Sequence, residues 1–165
     1  MPRKPRITIE GYPYHITQRG NYKQNIFIDD RDRVCYLKWL NKYCSDHKLS
    51  ILAYCLMPNH VHFICIPHTP WSLSKVFKVV NVRYSNYFHA KNALTGHLWQ
   101  GRFYSCILDQ EHLFCAVRYV ENNTVRAGLT EEPEDWKWSS ARKHLGLPGR
   151  SYIKLANIAD LLEID

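Results

Sequence analysis

Two apolar runs, Leu52-Ala53-Tyr54-Cys55-Leu56-Met57 and Val61-His62-Phe63-Ile64-Cys65-Ile66, are separated by Pro58-Asn59 and His60. Proline offers no amide hydrogen to a sheet ladder and Pro-Asn is a turn signal, so the chain has to reverse there. The segment predicts a β-hairpin with strands near 50–57 and 60–66. Alternation along the second strand places His60 and His62 on one face and Val61 and Phe63 on the other. Two imidazoles at this spacing can converge on one small target, most often a divalent metal. The spacing alone describes a pair of half-exposed sheet histidines at least as well, because the chain holds nine histidines.

A chain of 165 residues that is 45% hydrophobic predicts one domain with a substantial core. The net charge of +7, with basic residues beside aromatic ones on several segments, suggests a polyanionic partner, and nucleic acid fits best. A solvated basic surface would explain the charge equally well. No apolar run approaches the roughly 20 residues that span a bilayer, so no membrane association is expected. Met1-Pro2-Arg3-Lys4-Pro5-Arg6 lacks the apolar centre of a secretory signal. The six cysteines, Cys35, Cys44, Cys55, Cys65, Cys106 and Cys115, show no C-x-x-C pairing and mostly sit in apolar patterns. That usage argues against a zinc ribbon or disulfide framework and predicts a cytoplasmic protein with reduced thiols.

Residues 1–12 read as a flexible basic arm. Tyr14-His15-Ile16-Thr17-Gln18-Arg19 alternates as a first strand ended by Gly20-Asn21. Asp29 or Asp30 can cap a helix to about His47, with Val34, Leu37, Leu40 and Cys44 as its apolar stripe. After the hairpin, Ser72 or Ser74 opens the clearest helix, with Leu73, Val76, Phe77, Val80, Tyr84, Tyr87 and Phe88 on its inner face. Lys75, Lys78, Arg83 and Lys91 face away. Arg102–Leu108 reads as a fourth strand and Gln110–Asn123 as a third helix; Gly128 and Pro133 break the pattern before a helical segment at Trp138–His144. This order predicts an α+β domain over 13–130, a ferredoxin-like (RRM-like) antiparallel sheet with helices packed on it, and a C-terminal helical tail over 131–165.

The third helix is asymmetric. Leu113, Phe114, Val117 and Val120 form its predicted core stripe, while Tyr119 and Asn123, four residues apart, project together from another face beside His112 and Ala116. A tyrosine off the core stripe next to an amide oxygen suits attack on phosphate; an ordinary surface tyrosine fits the spacing too.

Four motifs then stand in a familiar order: Met57-Pro58-Asn59-His60-Val61-His62, Trp99-Gln100-Gly101-Arg102-Phe103, Tyr119 to Leu129, and Trp138-Ser139-Ser140. With Tyr14-His15-Ile16-Thr17-Gln18-Arg19-Gly20 they cover residues 3–145, and the chain resembles the REP-associated tyrosine transposases, a branch of the single-tyrosine HUH superfamily. The resemblance implies the HUH single-tyrosine nuclease fold with the histidines on a central strand. It makes Tyr119 the nucleophile, His60 and His62 metal ligands, and Asn123 the third, polar ligand on the nucleophile's own helix. It implies Mg²⁺ or Mn²⁺ as cofactor, although two imidazoles by softness alone suit Mn²⁺ or Zn²⁺ better. The implied partner is single-stranded DNA near a palindromic hairpin, handled by a monomer or homodimer. DNA contacts are expected from Arg3, Lys4 and Arg6 on the arm, His15, Thr17 and Arg19 on the first strand, and Arg102 and Arg126, with Trp99 stacking an unpaired base. A solvated-surface or core role fits each at least as well, and Trp99 can simply anchor a loop. Two departures stand out: Thr124 replaces the usual proline after Asn123, which lets the helix continue slightly, and Tyr104 replaces a basic residue. A non-catalytic hairpin-binding protein and a metal-dependent phosphodiesterase using water are the competing expectations.

Overall fold

The computed structural model describes residues 6–161. Its elements run β1 (Tyr14–Arg19), α1 (Asp30–Asp46), β2 (Leu49–Leu56), β3 (His60–Pro67), α2 (Ser72–Asn92), β4 (Tyr104–Ile107), α3 (Gln110–Glu121), α4 (Asn123–Arg126) and α5 (Ala141–His144), with 3₁₀ turns at Asn21–Lys23, Pro133–Asp135 and Ile158–Leu161. The predicted hairpin forms β2 and β3, turning at Pro58-Asn59. The sheet is antiparallel in the order β2-β3-β1-β4, the ferredoxin-like arrangement expected from the sequence.

Helices α1 and α2 pack on one face. Tyr36, Leu37, Leu40, Phe77, Val80 and Tyr84 meet Ile16, Val61 and Phe63 of the sheet there. Asp29 caps α1 by accepting from the Asp32 amide, and the Asp32 carboxylate answers by accepting from the Asp29 amide. Val34 is only half-buried, and Tyr36 takes the inner position instead. Helix α3 covers the opposite face, where Leu113, Val117 and Val120 pack on Leu52, Ala53, Ile64 and Ile66. Phe114, predicted in that stripe, is 46% exposed. Residues 113, 117 and 120 already fill the arc of an α-helix that meets a sheet, and position 114 falls beyond its edge.

The terminal segments differ from expectation. Residues 6–12 are tied to the body: the Gly11 amide donates to the Pro67 carbonyl, and the Ile9 amide to the Tyr14 hydroxyl. Arg3 and Lys4 lie outside the described residues. Among the described residues the tail after 131 is helical only in single turns, and it runs along the free edge of β2. The Leu56 amide donates to the Trp138 carbonyl, the Ser140 amide to the Tyr54 carbonyl, and the Ala156 amide to the Ile51 carbonyl. An uncovered strand edge invites pairing with another chain, and the tail occupies this one. Cys44, Cys55 and Cys65 are buried as expected, whereas Cys106 and Cys115 are exposed. No helix among the described residues is long and apolar enough to cross a membrane.

Candidate active site

Antiparallel register decides which β1 side chains join the histidines. Thr17 lies opposite His62, Arg19 opposite His60, and His15 opposite Ile64. Directly opposed residues share a face, so His60, His62, His15, Thr17 and Arg19 form one polar cluster. That face is the one α3 covers, and the cluster begins where the apolar packing of α3 ends. The geometry brings in Tyr119 as well. Its ring stands edge-on to His15 and His62, with centroids 6.0 and 6.2 Å away, and His60 and His62 are 4.9 Å apart. Tyr119 is 48% exposed, so a substrate can reach it.

The imidazoles are held by specific partners. Asn59 donates through Nδ2 to the Lys23 carbonyl, which leaves its Oδ1 to accept from His60 Nδ1–H at 2.6 Å. The lone pair of His60 therefore sits on Nε2. His62 Nδ1 lies 2.9 Å from His15 Nε2 and 3.3 Å from Thr17 Oγ1. Both atoms can accept a proton from Nδ1, the arrangement that leaves His62 Nε2 as a ligand. Burial, with the Arg19 charge behind it, lowers the His60 pKa to about 4. Burial, followed by His60, His15, Arg126 and Arg19, lowers that of His62 to about 3. Both rings are neutral at pH 7, as a metal ligand must be.

Asn123 departs from the reading of one continuous helix. Helix α3 stops at Glu121, Asn122 forms the joint (φ −84°, ψ 3°), and Asn123 opens α4. Thr124 does not extend α3; it is buried and accepts from the Thr130 hydroxyl at 2.9 Å. Asn123 is buried too, donating through Nδ2 to the Val120 carbonyl and accepting through Oδ1 from Arg126 at 2.8 Å. The same guanidinium covers the Tyr119 ring at 3.8 Å and donates to the Tyr119 carbonyl. Arg126 therefore joins the nucleophile candidate to Asn123 instead of standing free. A carbonyl oxygen has two lone pairs, so Asn123 Oδ1 keeps one beyond the Arg126 contact. An amide oxygen and two neutral imidazoles are donor types that suit a divalent cation. Among the described residues no group of three His, Cys, Asp or Glu side chains is placed to hold a metal.

The expected DNA contacts divide. His15 and Thr17 belong to the imidazole cluster. Arg19 and Arg102 are exposed around a cavity of about 300 Å³ that also includes Thr17 and Tyr104. Trp99 faces the other way: its indole N–H donates to the Asn81 carbonyl and its ring packs near Tyr36 and Tyr84, so it anchors its loop. Arg6 stacks on Phe103 at 3.7 Å and donates to the Phe103 carbonyl, which takes it out of a free arm. A cavity of about 670 Å³ lies on the α2 side between Asn81, Trp99 and Phe103, away from Tyr119. Asn59 was legible only as a turn residue, and its place beside His60 was the one hint of its bridging role.

A family model described as Transposase IS200 like matches residues 8–123. A Haemophilus influenzae protein described as a REP-associated tyrosine transposase is 22% identical over 151 residues, which cover 80% of this chain and 85% of that protein. A solved REP-associated tyrosine transposase bound to a REP hairpin superposes with a TM-score of 0.67 at 19% identity, over 96% of this chain and 93% of its own. At that identity the likeness concerns the fold.

Proposed function

Because this chain belongs to the IS200-like transposase family, we propose that it is a REP-associated tyrosine transposase, binding hairpin DNA and cleaving and rejoining single strands through Tyr119. The observation that carries this reading is the meeting of an exposed tyrosine on α3 with the His15 and His62 imidazoles on the sheet, at ring-centroid distances of 6.0 and 6.2 Å, beside His60. A pure binding surface needs no such convergence.

A free phenol has a pKa near 10 and attacks phosphate poorly at neutral pH, so it needs positioning and a polarised target. Arg126, lying over the ring and bonded to the Tyr119 carbonyl, restrains the direction of the phenol. His60 and His62 with Asn123 would hold Mg²⁺ or Mn²⁺, which when bound neutralises charge on a non-bridging phosphate oxygen. With Thr17 and His15 accepting from His62 Nδ1–H, the Nε2 lone pair would be left available as a ligand. Tyr119 Oη attacks phosphorus in line, the bond to the 3′ oxygen breaks, and the phosphate stays on the tyrosine as a 5′-phosphotyrosine. Attack by an incoming 3′-hydroxyl reverses the exchange. One phosphoester replaces another, so the cycle needs no ATP. Tyr119 reaches imidazoles of its own chain, which favours catalysis within one protomer.

The test uses a labelled single-stranded oligonucleotide carrying a palindromic hairpin from the DNA flanking the gene, incubated with protein and Mg²⁺ or Mn²⁺ and resolved on a denaturing gel. The wild type is expected to form a covalent adduct that Tyr119→Phe abolishes. His60→Ala is expected to stop cleavage while leaving hairpin affinity within about three-fold, as for a residue acting on the chemical step. Cleavage that survives Tyr119→Phe would point to water as nucleophile, and retention without cleavage to a binding protein.

A further inference from the structure

The turn between β1 and α1 carries strain that its packing does not explain. Tyr22 (φ 52°, ψ 27°) and Lys23 (φ 58°) both occupy the left-handed region. Two consecutive side-chain-bearing residues seldom adopt it, and a bulky aromatic there is an outlier. The surroundings enforce the conformation. Gly20 donates to the Asn59 carbonyl, Asn21 to the Leu98 carbonyl, Lys23 to the Gly20 carbonyl and Gln24 to the Asn21 carbonyl, while Asn59 Nδ2 donates to the Lys23 carbonyl. Gly20 tolerates no Cβ, which would lie 2.4 Å from the Gln24 carbonyl oxygen and 2.9 Å from Ile26. Yet the ring so held packs against almost nothing, since Tyr22 is 93% exposed.

Strain of this kind persists where the presented group has a task. The location indicates which task. Asn59, which grips the Lys23 carbonyl, bonds His60 through its other end. The turn therefore stands at the His60 edge of the site, beside exposed Arg19 and Lys23. A bare aromatic ring on a turn that also carries exposed Lys23 and follows exposed Arg19 matches the two components of a single strand, a base that stacks and a phosphate that pairs. We propose that Tyr22 is a stacking platform for an unpaired base of the strand entering the site, with Lys23 on its phosphate. This rests on the reading of the protein as one that handles single-stranded DNA, and it adds a base contact that none of the motif residues supplies.

The measurement is fluorescence anisotropy with two labelled probes, an oligothymidylate of about fifteen nucleotides and a blunt hairpin without unpaired bases. Stacking on one ring predicts that Tyr22→Ala weakens oligothymidylate binding by about 5- to 100-fold, while Tyr22→Trp keeps it within about two-fold. Blunt-hairpin binding is expected to stay within about two-fold in both. Tyr22→Gly should relieve the strain, raising the melting temperature while losing single-strand affinity as Tyr22→Ala does. Equal affinity of Tyr22→Ala and wild type overturns the proposal, as does Tyr22→Leu performing as well as Tyr22→Trp or a lower melting temperature in Tyr22→Gly. If those results come with an intact Tyr119 adduct, the platform alone has failed. A wild type that binds neither probe and forms no adduct overturns the DNA reading with it.

Discussion

His62 is the residue on which electrostatics and chemistry press hardest. It is buried, two other imidazoles adjoin it, and Arg126 and Arg19 add positive charge, so protonation is opposed from every side. The folded chain resists protonating His62 until about pH 3, whereas an unfolded one takes up that proton near 6.5. Between those values the unfolded state binds more protons. Stability contributed by the neutral ring is therefore complete above pH 6.5 and drains away as pH falls toward 3. The loss amounts to roughly a few kcal/mol at one pH unit per 1.4 kcal/mol. Urea unfolding of wild type and His62→Gln at about pH 7 and about pH 4.5 measures it. The variant is expected to lose distinctly less stability on acidification, and parallel losses would show that other groups set the acid limit.

At the level of elements, the direction of Tyr119 depends on how the end of α3 is fixed. Glu121, two residues on, accepts from the buried Ser140 hydroxyl at 2.5 Å and contacts His144 Nδ1 at 2.5 Å. Ser140 also accepts from the Tyr54 amide of β2 at 3.0 Å, so one hydroxyl ties helix, tail and sheet together. Ser140→Ala leaves the half-buried Glu121 carboxylate with His144 alone and a strand amide short of a partner, and is expected to cost about 1–3 kcal/mol in denaturant unfolding. A change under about 0.5 kcal/mol would mean that the clamp is replaceable by water. The Trp138-Ser139-Ser140 motif was visible in the sequence, but this connection was not, because it joins positions far apart in the chain. What sequence patterns did convey was local. The hairpin at Pro58-Asn59 and the stripe of α2 follow from turn chemistry and period, and β1, β3 and α3 came with their polar faces identified. The end of α3 falls two residues before the predicted one: Asn122-Asn123-Thr124 signals that a helix stops, but not which of these residues forms the joint. Arg6 and Arg126 likewise read as free groups, and Trp99 as either a stacking ring or a loop anchor, because a sequence shows a charge or a ring without showing the carbonyl or aromatic face that engages it. The inclusion of His15 in the imidazole cluster required the β1–β3 register, which no single strand encodes.

For the molecule as a whole, the sheet separates two kinds of surface. One side is sealed by α1 and α2; the other is shared between the apolar footing of α3 and the polar cluster around His60 and His62. A net charge of +7 favours any polyanion, so the charge alone does not say where DNA lies. Two arginines near the imidazole cluster and one held away from it offer a way to test the path. Arg19 and Arg102 are exposed at the cavity beside Thr17, while Arg6 is committed to Phe103. Each phosphate neutralised on a single strand contributes about 0.7 to the slope of log affinity against log salt. If the strand runs past the His60 edge, Arg19→Ala should flatten that slope by about 0.7. Arg6→Ala should leave the slope unchanged and lower thermal stability instead, since it removes packing over Phe103 and a bond to a backbone carbonyl. Oligonucleotide titrations at several salt concentrations, run beside thermal melts, separate the two. A slope that responds to Arg6 and ignores Arg19 would move the DNA path to the α2 side of the sheet, where the larger cavity lies, and away from Tyr119.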